Sequence, residues 1–144
     1  EVKKISYKLG SQAIIVSVPI NVINEKLYWF DYKNKVNKKN FRRLEELASN
    51  KFVSEICLID KVNEGHKGSF NDQIINLFPI KNIPFILFGG ITETDQIKNF
   101  FNREIVSSVA IGNSLNYKEH AIQAHKSSLM GSNLRNSFFN QNIF

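Results

Sequence analysis

Four apolar runs of strand length recur along the chain: "QAIIVSV" (12–18), "SEICLID" (54–60), "PFILF" (84–88) and "IVSSVAI" (105–111). Each is rich in branched or aromatic residues, and such near-continuous apolarity suits strands covered on both faces. Between them the apolar residues take helical spacing. Phe41, Leu44, Leu47 and Ala48 form one set, and Phe70, Ile74 and Phe78 a second. Ile97, Phe100 and Phe101 form a third, and Ile122 with Leu129 a fourth. The resulting βαβαβαβα order implies an α/β fold with a parallel sheet and helical crossovers.

The segment "NVINEKLYWFDYKNK" interrupts the alternation. Asn24 and Glu25 stand between Val22-Ile23 and the alternating "KLYWFDY", which predicts an inserted β-hairpin with a polar tip after the first strand. Trp29 is assigned to hairpin packing. The chain has 144 residues, enough for one core, with 42% hydrophobic and 22% charged residues. Residues 1–130 are expected to form the folded unit. The asparagine-rich stretch 131–144 is expected to be a polar tail. Glu1 opens what reads as the end of a helix, so a longer chain is expected.

The net charge of +6 raises the question of nucleic acid. The lysines are spread out, however, and the one dense cluster, "KNKVNKKNFRR", reads as a solvated loop and helix start, so no nucleic-acid partner is expected. No run approaches the roughly 18 apolar residues of a membrane helix, so no membrane association is expected. The single cysteine, Cys57, lies in an apolar run and can form no internal disulfide. It reads as a core thiol in a reducing, cytoplasmic setting.

Chemistry is expected where parallel strands end. Gly89 and Gly90 follow the third strand, and Thr92 with Asp95 resembles a capping box that starts the next helix. Glycines ahead of a helix let a phosphate approach backbone N–H groups, although a tight turn alone also favours them. Gly112, Asn113 and Ser114 follow the fourth strand and make a second such rim. The long turn "DKVNEGHKGSF" after the second strand offers Glu64, His66 and Lys67 as acid, base or charged groups. No metal site is expected, since His120 and His125, five apart, lie on different helix faces.

These segments, with "LGSQAIIVSV", "NEGHKGSF", "IPFILFGGITETDQIKNFF" and "SSVAIGNSLNYKEH" in order over about 9–129, resemble the C-terminal half of the cyclase subunit of imidazole glycerol phosphate synthase. The resemblance implies a (β/α)8 barrel acting in histidine biosynthesis, of which this chain covers strands 5 to 8. It also implies no cofactor, a glutaminase subunit as partner and a substrate carrying a phosphate at each end. Gly89, Gly90, Gly112, Asn113 and Ser114 would hold one of those phosphates, and Glu55 would belong to the charged gate through which ammonia enters. Of the two aspartates that close the ring in that family, one lies outside this chain and the other aligns with Pro19, which cannot transfer a proton. A further family aspartate aligns with Glu64, the remaining candidate catalytic residue. The serine ahead of the family's glycine pair is Phe88. A half barrel leaves two open sheet edges, so pairing with an N-terminal half or with a second copy is expected. The same resemblance admits an ammonia-conducting paralogue that docks a glutaminase and serves surface-sugar biosynthesis.

Overall fold

The computed structural model describes residues 1–116, 120–129 and 134. Six strands form one sheet: β1 (Ile15–Ile23), β2 (Lys26–Asp31), β3 (Val36–Lys38), β4 (Glu55–Asp60), β5 (Phe85–Phe88) and β6 (Val106–Val109). Their spatial order is β3-β2-β1-β4-β5-β6. β1, β4, β5 and β6 are parallel, and β2 and β3 add antiparallel at the β1 side. The helices are α1 (Val2–Leu9), α2 (Arg42–Ser49), α3 (Gln73–Leu77), α4 (Thr94–Phe101) and α5 (Ala121–Ser128).

The parallel strands have two unlike faces. Val18, Ile20, Ile56, Leu58, Phe85, Leu87 and Val106 are buried and share one cluster with Leu44, Ala48, Ile74, Ile97 and Phe100 from the helices. Phe78 is fully buried at its centre, edge-on to both Phe41 and Phe85 with ring centroids 5.4 Å apart in each pair. The opposite face carries Pro19, Glu55, Cys57, Ile59, Ile86 and Phe88, all half-buried, and Ile15, half exposed. Strands covered on both faces, the expectation from their apolarity, are therefore not what this chain forms. Helices on one face only mark the barrel arrangement rather than a doubly wound sheet, and the open face is the one a barrel turns toward its axis. The chain thus folds as a half barrel of four βα units, with its hairpin set after the first strand.

β1 serves two partners. Ile15 to Ile20 pair with β4, whereas Ile20 to Ile23 pair with β2. The hairpin thus extends the sheet beyond the end of the barrel strands and leaves the outer edge of 15–19 without a strand among the described residues. Asn24 and Glu25 both have positive φ (49° and 60°), the conformation that matches a two-residue turn to the strand twist. Trp29 pairs across to Ile20 and donates its indole N–H to the Asn40 carbonyl at 2.9 Å, in keeping with hairpin packing. The basic cluster is not all loop and helix start: it also holds β3, a third strand that Lys38 and Asn37 contribute to.

Two helix readings also change. α3 spans only five residues, and Ile122 on α5 is exposed while Ala121 and Leu129 are buried.

Asp31 closes the β2–β3 turn. Its carboxylate accepts hydrogen bonds from the Lys33 and Asn34 amides, the Asn34 side chain and Lys38. The Lys38 ammonium, then Asn34, holds this carboxyl far below the usual carboxylate range. A lowered value in the folded state means stabilisation that is present above the unfolded pKa and lost as pH falls through the folded one. Amide exchange at Lys33 and Asn34 is expected to stay slow from neutral pH to below about pH 4, and to accelerate at all these pH values in Asp31→Asn.

Candidate functional site

The C-terminal ends of β4 and β5 meet at a buried carboxylate. Asp60, 2% exposed, ends β4 on the helix-covered face. Its Oδ1 accepts the Asn63 amide (3.2 Å), and its Oδ2 accepts the Asn63 side-chain amide (2.7 Å) and the Asn71 backbone N–H (2.8 Å). A buried charge requires such donors, and here they fold the loop from Lys61 to Phe70 back over the strand ends. Ser69 fastens the same loop to the next turn by donating its N–H to the Gly90 carbonyl at 2.9 Å.

This close packing dictates the glycine pair. Gly89 has φ +103°, and a Cβ there would stand 2.7 Å from the Asp60 carbonyl oxygen. Gly90 has φ +71°, and its Cβ would meet the Asn63 carbonyl oxygen at 2.8 Å and Ser69 Oγ at 2.7 Å. Both positions exclude a side chain by conformation and by contact.

Beside the pair lies a cavity of about 730 Å³. Gly89, Gly90 and the start of α4 form one wall, Gly112 and Ala110 after β6 a second, and Glu64 to Lys67 the rim. Phe88 borders this space without filling it, and a Cβ on Gly112 would touch its ring at 3.2 Å. The far wall is α5, through Ala121 and His125.

Charge in the cavity is nearly balanced. Lys67 pairs with Glu93 at 3.2 Å, and this hydrogen bond, followed by one from Thr92, lowers the Glu93 carboxyl below its ordinary value. Thr92 Oγ1 contacts Glu93 Oε1 at 3.2 Å, and α4 starts at Thr94 with Glu93 in the cap position. The expected capping box between Thr92 and Asp95 therefore does not form: the helix begins one residue later than that pattern requires. Thr94 Oγ1 is instead 2.8 Å from His125 Nδ1, which ties α4 to α5 across the cavity.

Of the residues singled out from sequence, Glu64, His66, Lys67, Gly89, Gly90 and Gly112 line this one space. Asn113 and Ser114 follow Gly112 in a 3-10 turn (Asn113–Asn116), and their side chains lie outside the described residues. Glu55 is elsewhere, at the opposite end of β4, where it accepts a hydrogen bond from Ser107 Oγ at 2.6 Å. It shares the open face with Cys57, whose thiol is pushed up by burial against a weaker opposing hydrogen bond from Ser17. That direction suits a packed thiol rather than a nucleophile. Sequence reading missed Asp60 and His125. Alternation in "SEICLID" does place Asp60 on the buried side with Ile56 and Leu58, a signal that a charged residue there must be bonded.

Fold and cavity together define a protein of the (β/α)8-barrel class, with its cavity at the C-terminal ends of the strands. The chain belongs to the histidine biosynthesis protein family, whose model matches residues 1–121. No curated protein matches it. No described helix is long and apolar enough to cross a membrane.

Gly89→Ala is expected to cost about 2 kcal/mol or more, through left-handed strain and the clash with Asp60. Gly112→Ala, whose close neighbour among the described residues is a ring edge, should cost less, about 1 kcal/mol or under. Urea unfolding measures both, and equal stabilities would remove the packing argument.

Proposed function

We propose that this chain is the C-terminal, phosphate-binding half of a cyclase-subunit barrel of imidazole glycerol phosphate synthase, with ring closure impaired or altered. The observation that carries this reading is the convergence of two glycine-bearing strand ends, Gly89-Gly90 and Gly112, on a single cavity at the start of a helix. Backbone N–H groups and the positive end of the α4 dipole favour an anion there, and the space accommodates a phosphate with the carbon chain attached to it. The main chain after Gly112, at Asn113 and Ser114, continues the second rim.

Glu64 is the acid or base of this proposal. Its exposed side chain lines the rim, within reach of a ligand whose phosphate occupies the glycine wall. Pro19 pairs with Ile59 on the open face and brings no titratable group to it. Loss of one placed acid or base typically lowers a rate by about 10² to 10⁴. The partners of this reading are a glutaminase subunit near Glu55 and a phosphorylated small molecule at the cavity. A complementary half barrel or a second copy would pair along the free edge of β1 and along β6.

Pro19 also favours a second reading, an ammonia conduit without cyclase activity that docks a glutaminase and supplies a separate amidotransferase in surface-sugar biosynthesis. In that case Glu55 and Ser107 matter and the cavity does not.

Titration of the chain with inorganic phosphate is expected to move the amide signals of residues 89–94 and 112, and Gly112→Asp to abolish the response. Supplied with its complementary half, ammonium and the two-phosphate substrate, the protein should form product about 10² to 10⁴ times more slowly than an intact acid–base pair allows. Pro19→Asp should raise that rate. An ordinary rate without the change defeats the impaired-catalysis reading. Glutaminase stimulation with no ring product favours the conduit.

A further inference from the structure

The cavity is short of positive charge for an anion site. Lys67 is committed to Glu93, and Glu64 adds a second carboxylate at the rim. A phosphate monoester carries close to two negative charges near neutral pH, so backbone N–H groups must hold it beside one carboxylate, Glu64, that no cation among the described residues offsets. His125 is the group able to change this balance. It is half-buried, lines the cavity from α5, and is held by Thr94 through Nδ1.

Its placement suits a cation in three ways. It occupies the last turn of α5, where the helix dipole presents its negative end. Glu93, at the start of α4, lies close enough that His125 acts electrostatically on its carboxyl. The Thr94 hydroxyl can accept from Nδ1–H as readily as donate to Nδ1, so protonation of the ring leaves that bond in place. Against these act Lys67 and His66 on the loop and Lys126, its neighbour on α5. Lys67 is offset by Glu93, and His66 is exposed on the rim. Asp95 in the first turn of α4 adds a further negative charge.

We propose that His125, oriented by Thr94, is the cationic ligand of the anion bound in this cavity, which therefore takes dianionic phosphate monoesters most tightly when that imidazole is protonated. The inference rests on the phosphate-site reading and adds to it the residue that supplies charge and the pH range over which it acts. Histidine is the side chain that most readily changes charge between about pH 5 and 8, so affinity should rise as pH falls across that range. Losing one charge-assisted hydrogen bond there corresponds to roughly a tenfold change in affinity.

Sulfate is the probe of choice because, unlike phosphate, it stays dianionic throughout that range. The chain is expected to bind sulfate roughly tenfold more tightly at pH 5.5 than at pH 8. His125→Gln should flatten this dependence, and His66→Gln should leave it. In the unmodified chain, sulfate should also raise the midpoint of the His125 ring signal in an NMR titration, since linkage is reciprocal. This second measurement needs no variant to fold. Sulfate binding that is flat with pH, or whose dependence vanishes in His66→Gln but not in His125→Gln, overturns the assignment of His125 and leaves the phosphate site standing. No response to sulfate or inorganic phosphate at residues 89–94 at any pH overturns both.

Discussion

The site depends on the burial of one carboxylate. Asp60 is 2% exposed and has no cationic partner in its hydrogen bonds, so the loop beyond it must supply donors or leave a charge stranded. Three N–H bonds from Asn63 and Asn71 meet that demand, each of the charge-assisted kind that contributes about 1.5–3 kcal/mol. The loop is consequently drawn down over the strand ends. Glu64, His66 and Lys67 stand at the cavity rim because the residues on either side of them are fastened, Asn63 before and Ser69 and Asn71 after.

The same economy of contact explains the hairpin. Nine residues of β1 first complete a parallel pair with β4 and then turn to an antiparallel pair with β2, sharing Ile20 between the two. Pairing with β2 ends at Ile20, so the insertion projects past the strand ends without covering the edge along which a barrel would continue. Lys61, the first residue after β4, places its ammonium 4.3 Å from the Phe30 ring and so joins the hairpin to the loop that Asp60 organises.

Strand positions were legible in the sequence because four runs of β-branched and aromatic residues leave little else to form, and the hairpin because Asn24-Glu25 is flanked by alternation. Burial was less legible. Continuous apolarity is also what a barrel strand shows when its second face awaits the barrel interior, so the same residues that suggest two covered faces here leave Ile15 half exposed and Ile86 and Phe88 half-buried. The glycine rims were visible as motifs, whereas His125 was not. Its place at the cavity depends on α5 folding back against the start of α4, a contact between residues 31 apart that no local pattern encodes. The capping box failed for a related reason. Thr92 Oγ1 is engaged with Glu93, and Lys67 draws that carboxylate toward the loop, so long-range contacts moved the helix start to Thr94.

Whether the glycine pair serves geometry or an anion turns out to be a poorly posed choice. Asp60 and Asn63 alone would require glycine at both positions, with no ligand at all. A double glycine after a strand therefore carries little weight as a binding signal in this fold. Gly112 differs: it lies outside the left-handed region, and among the described residues a Cβ there would meet only the Phe88 ring, so packing tolerates a side chain better than at Gly89 or Gly90. A less crowded glycine, facing the same cavity as the pair that packing demands, is the feature on which the proposed anion site draws most. The second rim, less conspicuous in the sequence than the first, is therefore the more informative of the two.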